Sequence, residues 1–265
     1  MTPASTRSWW GRRSSARLIR RRPLARSRRW RGASGCPAGC LGDPVRVKIC
    51  GLTRAEDARA ADAAGADYLG VVLSAGFGRS VVPSAARALV EGTSALRVAV
   101  LVDETADGAA AAARALGADV IQLHGTESPD VLDELRARGG WHLWKAVRAQ
   151  SIEDVERAVE AYGRVADGIL VEGWKEGSPG GGGARLALDP ARVRALVPHS
   201  VDLVLAGGLG PDSVADAVRS FRPDVVDVSS GVERALGVKD HGRVQAFVRA
   251  ARAAVPVPAT KDDSA

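Results

Sequence analysis

Short apolar runs alternate with amphipathic stretches along most of the chain, from Val45 to about Val255. Several runs are apolar throughout, which is typical of strands that are covered on both faces of a parallel sheet. The predicted strands cover residues 45–50, 68–73, 96–102, 120–123, 142–147, 168–171, 203–206 and 225–228. Between them, alanine, arginine and acidic residues recur at helical spacing. The predicted helices cover residues 55–64, 85–91, 109–116, 129–137, 152–162, 190–196, 213–221 and 242–254.

This strict alternation of strands and helices predicts a parallel sheet. The alternating region spans about 220 residues, so each of eight strand–helix units has about 27 residues, as in a compact closed barrel. We therefore predict an α/β fold, a (β/α)8 TIM barrel, as a single domain over residues 44–265. The alternative is an open doubly wound sheet. It is weakened because no G-x-G-x-x-G sequence follows the first strand and opens a helix.

The first strand and the turn after it place a thiol at a strand end. A β-branched run ends at Cys50, and Gly51 allows the backbone to turn. We predict that Cys50 is exposed where the strand joins the loop. We also predict that Thr53 caps the helix that begins near Ala55, because a threonine hydroxyl can accept a hydrogen bond from the first helical turn.

Residues 1–43 have neither a helical nor a strand period. Within them, residues 1–35 hold eleven of the 37 basic residues and none of the 31 acidic ones. The rest of the chain therefore has 26 basic and 31 acidic residues, a net charge of −5. The overall charge of +6 is thus no argument for nucleic-acid binding.

We expect residues 1–43 to be a disordered basic extension that does no chemistry. Such a segment cannot bury enough apolar surface to offset the entropy of ordering. One alternative is an arginine-rich arm in which Trp9, Trp10 and Trp30 stack on the bases of RNA or DNA. Another is a targeting peptide, although the apolar region of a secretory signal is missing.

Cysteine content and hydropathy narrow the class of protein further. Cys36, Cys40 and Cys50 are too few for a disulfide framework or for a four-ligand zinc module in a chain of 265 residues. No apolar run approaches the roughly 18 residues that a membrane span needs. We expect a cytoplasmic protein that is not associated with a membrane.

If the strands form a barrel, the functional residues must lie where strands end and the following loops begin. Glycine-rich turns there can bind phosphate through backbone N–H groups, commonly after the seventh and eighth strands. The phosphate-binding candidates are Gly182, Gly183, Gly207, Gly208, Ser230 and Gly231. The first two lie in the loop after the sixth strand, and the others follow the seventh and eighth strands. A single glycine-rich turn usually binds no ligand. Two such turns at the ends of the seventh and eighth strands predict that the ligand is a phosphate ester.

Cys50 and Glu172 end the first and sixth strands and form a candidate acid–base pair. A thiol takes up a proton well when nearby positive charge lowers its pKa, and a carboxylic acid that burial keeps protonated can donate one. Such a pair on either side of a bound sugar phosphate would suit an isomerisation. The alternative interpretations are a small buried apolar residue for Cys50 and a solvated charge for Glu172.

Two further polar side chains follow strands on the same predicted edge. Arg79 lies in the loop after the second strand, and its planar guanidinium would suit a substrate carboxylate. His124 follows the fourth strand and could orient or polarise a ligand group. An exposed loop arginine and a histidine that fills a polar gap are the alternatives.

Together these motifs resemble the phosphoribosylanthranilate isomerase family, barrel enzymes of tryptophan biosynthesis. The resemblance covers nearly everything from Val47 to Arg252. The motifs that carry it are Lys48-Ile49-Cys50-Gly51-Leu52-Thr53, Gln122-Leu123-His124-Gly125, Trp144-Lys145-Ala146-Val147, Leu205-Ala206-Gly207-Gly208-Leu209, Val226-Asp227-Val228-Ser229-Ser230-Gly231-Val232-Glu233 and Gly237-Val238-Lys239-Asp240. Several motifs in the right order are specific to the family, whereas one alone would not be.

The resemblance implies an Amadori rearrangement of N-(5-phosphoribosyl)anthranilate to 1-(2-carboxyphenylamino)-1-deoxyribulose 5-phosphate. Cys50 would be the general base, Glu172 would stand at the position of the general acid, and Arg79 would face the anthranilate carboxylate. His124 and Asp227 match polar positions that line the family's site. The resemblance implies no metal or organic cofactor, a small phosphosugar substrate, and either a monomer or a homodimer.

Three departures from the family pattern fall in the catalytic loops. Glu172 replaces an aspartate that protonates the ribose ring oxygen, and misplacing a catalytic group by about 1 Å can cost on the order of 100-fold in rate. Where the family usually has Ser-Pro-Arg, this chain has Gly78-Arg79. Where the family has Gly-Gly-Thr-Gly-Lys, this chain has a run of glycines followed by Ala184. A diverged barrel paralogue that acts on a related phosphosugar in specialised metabolism is therefore the alternative enzymatic hypothesis. A nucleic-acid-associated protein is a third.

Overall fold

The computed structural model describes residues 44–173 and 187–254. In that part of the chain, eight parallel strands close into a barrel, and a helix follows each strand. The barrel strands are β1 (Arg46–Ile49), β2 (Tyr68–Val72), β3 (Leu96–Leu101), β4 (Val120–Leu123), β5 (His142–Ala149), β6 (Gly168–Gly173), β7 (Asp202–Ala206) and β8 (Val225–Val228). The helices are α1 (Ala55–Ala63), α2 (Pro83–Leu89), α3 (Ala106–Leu116), α4 (Pro129–Arg138), α5 (Ile152–Tyr162), α6 (Pro190–Leu196), α7 (Val214–Phe221) and α8 (His241–Ala253).

Pairing between the first and last strands closes the sheet and confirms the predicted barrel. Lys48 of β1 lies beside Tyr68 of β2 on one side and beside Asp227 of β8 on the other. An open doubly wound sheet would leave two unpaired edges, so that alternative is wrong. Closure brings the carboxyl ends of all eight strands to one rim, where a barrel holds its functional residues.

A short hairpin between β8 and α8 was not predicted. A 3-10 turn over Ser230–Val232 leads into β9 (Glu233–Ala235), which pairs antiparallel with β10 (Val238–Lys239). The two strands have three and two residues, too few for an apolar period to be recognised in the sequence. The hairpin matters because it carries Glu233 and Lys239 to the rim of the barrel.

The predicted cap at Thr53 is wrong. Arg54 occupies the N-cap position of α1 and makes no side-chain cap hydrogen bond. The Thr53 hydroxyl instead donates to the carbonyl oxygen of Gly237 at 2.6 Å, at the turn of the β9–β10 hairpin. The threonine therefore ties the loop after β1 to the hairpin after β8.

Side chains fill the barrel interior in layers, as expected of a packed core. At the amino-terminal end, the Arg46 guanidinium donates to Asp202 at 2.6 Å and to the Tyr68 hydroxyl at 2.8 Å. Tyr68 meets the Trp144 ring edge-on, with 5.0 Å between the ring centroids. Because successive strand residues face opposite sides, Arg46 and Lys48 of β1 share the inner face, and the next inward position is Cys50.

The predicted extension, residues 1–43, lies outside the described residues, and so do the phosphate-binding candidates Gly182 and Gly183. The division of the chain into an extension and a barrel domain at residue 44 therefore stays a prediction. Within residues 44–173 and 187–254, none of the helices has the length and apolar character that crossing a membrane requires.

Candidate active site

Cys50 directly follows β1 at the rim of the barrel. Its backbone N–H donates to the Val228 carbonyl at 2.8 Å, which extends the β1–β8 ladder by one residue. The prediction that Cys50 is exposed is wrong, because only 8% of the residue is accessible. Gly70 of β2 makes room for the thiol, since a Cβ at that glycine would lie 2.9 Å from the Cys50 sulfur.

The pKa of the Cys50 thiol is raised above its ordinary value. Burial is the main cause, because it penalises the charged thiolate, and the carboxylate of Asp227 also raises the pKa. Lys48 opposes both by its charge and by a hydrogen bond to the thiol, and Lys239 adds a weaker opposing charge. The thiolate is therefore a strong base, and its formation depends on the neighbouring cations.

Asp227 faces Lys48 across the β1–β8 pair. The Lys48 ammonium donates to the Asp227 carboxylate at 3.0 Å, and the side-chain exposures are 0% for Lys48 and 9% for Asp227. Asp227 was predicted as a site residue, and the structure places its carboxylate beside Lys48. Lys48 was not predicted as a site residue, because a lysine within a predicted strand is usually exposed to solvent.

Glu172, near the end of β6, is held by two basic side chains. Its carboxylate lies 3.5 Å from His124 Nε2 and 4.0 Å from Arg148 Nε. Burial raises the pKa of Glu172, but the hydrogen bond and charge of His124, together with the charges of Arg148 and Lys48, lower it below its ordinary value. The expectation that burial keeps this acid protonated is therefore wrong, and the ionised form is favoured.

His124 is oriented between Glu172 and the barrel interior. Gln122, two residues earlier on β4, places its side-chain nitrogen 2.8 Å from His124 Nδ1. The amide oxygen of Gln122 is buried and has no hydrogen-bond partner among the described residues. Because Gln122 occupies one ring nitrogen, the other ring nitrogen of His124 is directed at the Glu172 carboxylate.

Arg79 reaches the rim from the loop after β2, but another carboxylate already binds its guanidinium. Nε and Nη2 donate to the two carboxylate oxygens of Glu233, each at 2.7 Å. Lys239 donates to the same carboxylate at 2.8 Å. Arg79 lies close to the end of β1, since a Cβ at Gly51 would be 2.5 Å from its Cδ. The pattern of the sequence did not indicate that Glu233 would hold Arg79.

The glycine turns after β7 and β8 come together, as the prediction of one phosphate site requires. Gly207 and Gly208 have φ angles of 91° and 60°, a region that favours glycine. Gly231 approaches the first turn so closely that an added Cβ would overlap the Leu209 carbonyl oxygen. Ser230 begins the 3-10 turn next to it. The two turns therefore form one patch of backbone at the rim.

The charge of Lys48 links the two halves of the candidate site, because it acts on the Cys50 thiol and on the Glu172 carboxylate. Cys50 directly follows β1 and Glu172 lies near the end of β6, so both stand at the carboxyl-terminal rim of the barrel. In the part of the chain that the structure describes, no group of three or more histidine, cysteine and acidic side chains is arranged to hold a metal ion.

Comparison with known proteins agrees with this geometry. A family model described as N-(5'phosphoribosyl)anthranilate (PRA) isomerase matches residues 47–250. The N-(5'-phosphoribosyl)anthranilate isomerase of Chromohalobacter salexigens is 43% identical over 206 residues, which cover 77% of this chain and 92% of that protein. The crystal structure of the Thermotoga maritima enzyme has a TM-score of 0.71 and 34% identity, and the match covers 78% of this chain and 98% of that one.

A second similar structure is a complex of phosphoribosyl anthranilate isomerase with reduced 1-(o-carboxyphenylamino)-1-deoxyribulose 5-phosphate. Its TM-score is 0.67 at 33% identity, and the match covers 78% of this chain and 98% of that one. The region that the family model matches, residues 47–250, contains Cys50, Glu172 and every other described candidate residue. The chain belongs to the N-(5'-phosphoribosyl)anthranilate isomerase family.

Proposed function

We propose that this chain isomerises N-(5-phosphoribosyl)anthranilate to 1-(2-carboxyphenylamino)-1-deoxyribulose 5-phosphate, with Cys50 as the general base and Glu172 as the general acid. Family membership supports the reaction. The observation that supports the two roles is that Cys50 lies at the end of β1 and Glu172 near the end of β6, at the same rim of the barrel. The charge of Lys48 acts on both side chains.

The reaction needs one proton delivered and one removed. The acid protonates the ribose ring oxygen, the C1–O bond breaks, and the nitrogen lone pair forms an iminium with C1. The Cys50 thiolate then takes the C2 proton, and the electrons of the C2–H bond form the C1–C2 double bond of an enolamine. Tautomerisation of the enolamine gives the ketose. A positioned acid and base of this kind contribute typically 10²–10⁴-fold each.

Glu172 must first receive a proton, because its lowered pKa favours the carboxylate. His124 is the neighbour from which it can come, since Nε2 lies 3.5 Å from the Glu172 carboxylate. Only the imidazolium, with a proton on both ring nitrogens, can give one up, so Gln122 must then present its amide oxygen to Nδ1. The acid is then the His124–Glu172 pair.

Arg79 binds the anthranilate carboxylate in this proposal while it stays paired with Glu233. A guanidinium has five N–H donors, and Glu233 uses one on Nε and one on Nη2. The other donors can face a second carboxylate. The substrate phosphate sits on the turns of Gly207, Gly208 and Ser230-Gly231, where backbone N–H groups can bind it.

The experiment is to mix the purified full-length chain with freshly made phosphoribosylanthranilate and to follow the loss of anthranilate-type fluorescence. We expect turnover by the wild type and a loss of at least 10²-fold in Cys50→Ser and Cys50→Ala. Circular dichroism and thermal unfolding of both variants check that the barrel is intact. Wild-type activity that survives in Cys50→Ala would contradict the role of the thiol.

Two further assignments accompany the proposal. A cytoplasmic location and a state of monomer or homodimer stay predictions, to be checked by fractionation and by sedimentation. The extension, residues 1–43, takes no part in the proposed chemistry, so a chain that begins at residue 44 should keep the activity of the full chain.

A further inference from the structure

Lys48 is a buried ammonium group to which the chemistry above assigns no task. Its side chain is fully inaccessible to solvent. Burial by itself lowers the pKa of a lysine, because the charged form loses its hydration. Here the charges of Asp227 and of the Cys50 thiol, with a hydrogen bond to each, outweigh burial and raise the pKa of Lys48 above its ordinary value. The raised pKa favours the charged ammonium form of Lys48 inside the barrel.

The geometry places this charge beside the thiol. The Lys48 ammonium donates to Asp227 at 3.0 Å. A Cβ at Gly70 would lie 2.9 Å from the Cys50 sulfur and 3.1 Å from Lys48 Cε. Both side chains therefore pass over the same glycine of β2. A larger residue there would displace one of them.

We propose that Lys48 is a positioning residue that supplies the counter-charge for the Cys50 thiolate, and that Asp227 holds its ammonium in place. The inference rests on the proposed role of Cys50 as the general base. The thiolate takes the C2 proton and becomes a thiol, while Lys48 keeps its own proton throughout. The ammonium thus stabilises the form of Cys50 that reacts.

Other charged groups also face the thiol, and they make a comparison possible. Asp227 approaches from β8, Lys239 from β10 and Arg79 from the loop after β2. Lys48 is the largest of the influences that lower the pKa of Cys50, and Lys239 is a smaller one. Lys239 is also fully buried, so it is a matched control for the loss of a buried ammonium near the same sulfur.

The test titrates the thiol itself, in full-length protein in which Cys36 and Cys40 are replaced by serine. The ultraviolet absorbance of the thiolate and the rate of alkylation by iodoacetamide are measured against pH. We expect Lys48→Met to move the midpoint upward by about one pH unit or more, which corresponds to about a tenfold smaller thiolate fraction at a given lower pH. Lys239→Met should move it less. Neither readout needs substrate, so both remain informative even if the wild type does not turn over phosphoribosylanthranilate.

A Lys48→Met midpoint equal to that of the wild type, in a variant with native circular dichroism, would overturn the proposal. If Lys48→Met does not fold because Asp227 is left unpaired, Asp227→Asn is compared with the double variant Lys48→Met/Asp227→Asn. The double variant should titrate at higher pH than Asp227→Asn. Equal midpoints in this second pair would overturn the proposal as well.

Discussion

The Arg79 guanidinium and the Glu233 carboxylate face each other edge to edge, joined by two N–H···O hydrogen bonds of 2.7 Å. The side-chain exposures are 16% for Arg79 and 6% for Glu233, so the pair is shielded from water. Paired and charge-assisted bonds of this kind fix a guanidinium in position as well as in orientation. Glu233 therefore fixes the direction of the remaining N–H donors of Arg79.

We expect Glu233→Gln to lower kcat/KM about tenfold, which corresponds to about 1.4 kcal/mol of transition-state binding. The glutamine amide would direct its own N–H groups at a guanidinium that has only donors, so one of the two bonds must break. Steady-state kinetics with phosphoribosylanthranilate measure the effect. Arg79→Lys keeps the charge and loses the planar guanidinium, so it should also lower kcat/KM. Unchanged kinetics in Glu233→Gln would show that the pair does not position Arg79.

The extra methylene of Glu172 gives a second prediction. If Glu172 delivers the proton to the ring oxygen, Glu172→Asp should keep or raise kcat, because aspartate is the residue that the family pattern has there. Glu172→Gln and Glu172→Ala should lose at least 10²-fold in kcat. Single-turnover kinetics separate this loss from a change in product release. An active Glu172→Ala variant would remove Glu172 from the mechanism.

How far the sequence predicts the molecule depends on the range of the interactions involved. Strands such as β4 and helices such as α5 were predicted with the observed bounds, because their apolar periods are local properties of the chain. The strand-end rule also placed Cys50 and Glu172 at one rim. The ionisation of Glu172 could not be predicted, because it depends on His124 and Arg148, which are brought to it only by the folded barrel.

The same limit explains what was missed entirely. Lys48 is a functional candidate only once its side chain is known to be buried beside Cys50 and Asp227. Glu233 and Lys239 lie on strands too short to show a period. A charged residue at an inward position of a predicted barrel strand is the signal that could have identified Lys48, since such a position is normally apolar.

Glu172 should also contribute to stability in a pH-dependent way. The fold lowers its pKa below the ordinary carboxyl value of about 4.3, so the folded protein favours the carboxylate more than the unfolded chain does. The resulting stabilisation is fully present above that ordinary value and is lost as the pH falls through the lowered folded pKa. The free energy of unfolding of the wild type minus that of Glu172→Gln, measured by denaturant titration, should therefore shrink as the pH falls below about 4.3. A difference that grows in acid would mean that the fold keeps Glu172 protonated.

The close approach of the two glycine turns predicts unequal effects of two similar substitutions. Gly231→Ala would place its Cβ on the Leu209 carbonyl oxygen, so the turns must separate, at a cost of about 1–3 kcal/mol. Gly210→Ala is the matched control, because its Cβ would meet nothing closer than the Gly231 carbonyl oxygen at 3.8 Å. Unfolding free energies and KM should change in Gly231→Ala and hardly at all in Gly210→Ala. Equal changes of unfolding free energy and KM in the two variants would mean that the close approach of the turns does not support a phosphate site.

A buried ion pair behind the site supports the loops after β3 and β4. The Glu127 carboxylate accepts from Lys145 Nζ at 3.0 Å and from the backbone N–H groups of Asp103 at 2.9 Å and of Gly125 at 3.0 Å. The side-chain exposures of Glu127 and Lys145 are 1% and 4%. Lys145, in the middle of β5, therefore has a structural partner, and its charge is already compensated within the fold.

We expect Glu127→Ala to lower the free energy of unfolding by about 3–5 kcal/mol, because it leaves a buried ammonium without its counter-charge and two backbone donors without their acceptor. Denaturant titration measures the loss. Glu134→Ala is the control, because the Glu134 side chain is 56% exposed and its pairing with Arg138 is screened by water. The double variant Glu127→Ala/Lys145→Met should recover part of the loss, since it no longer buries an unpaired charge. If Glu127→Ala were as stable as Glu134→Ala, the pair could not be what holds these loops, and His124, which directly precedes Gly125, would need another support.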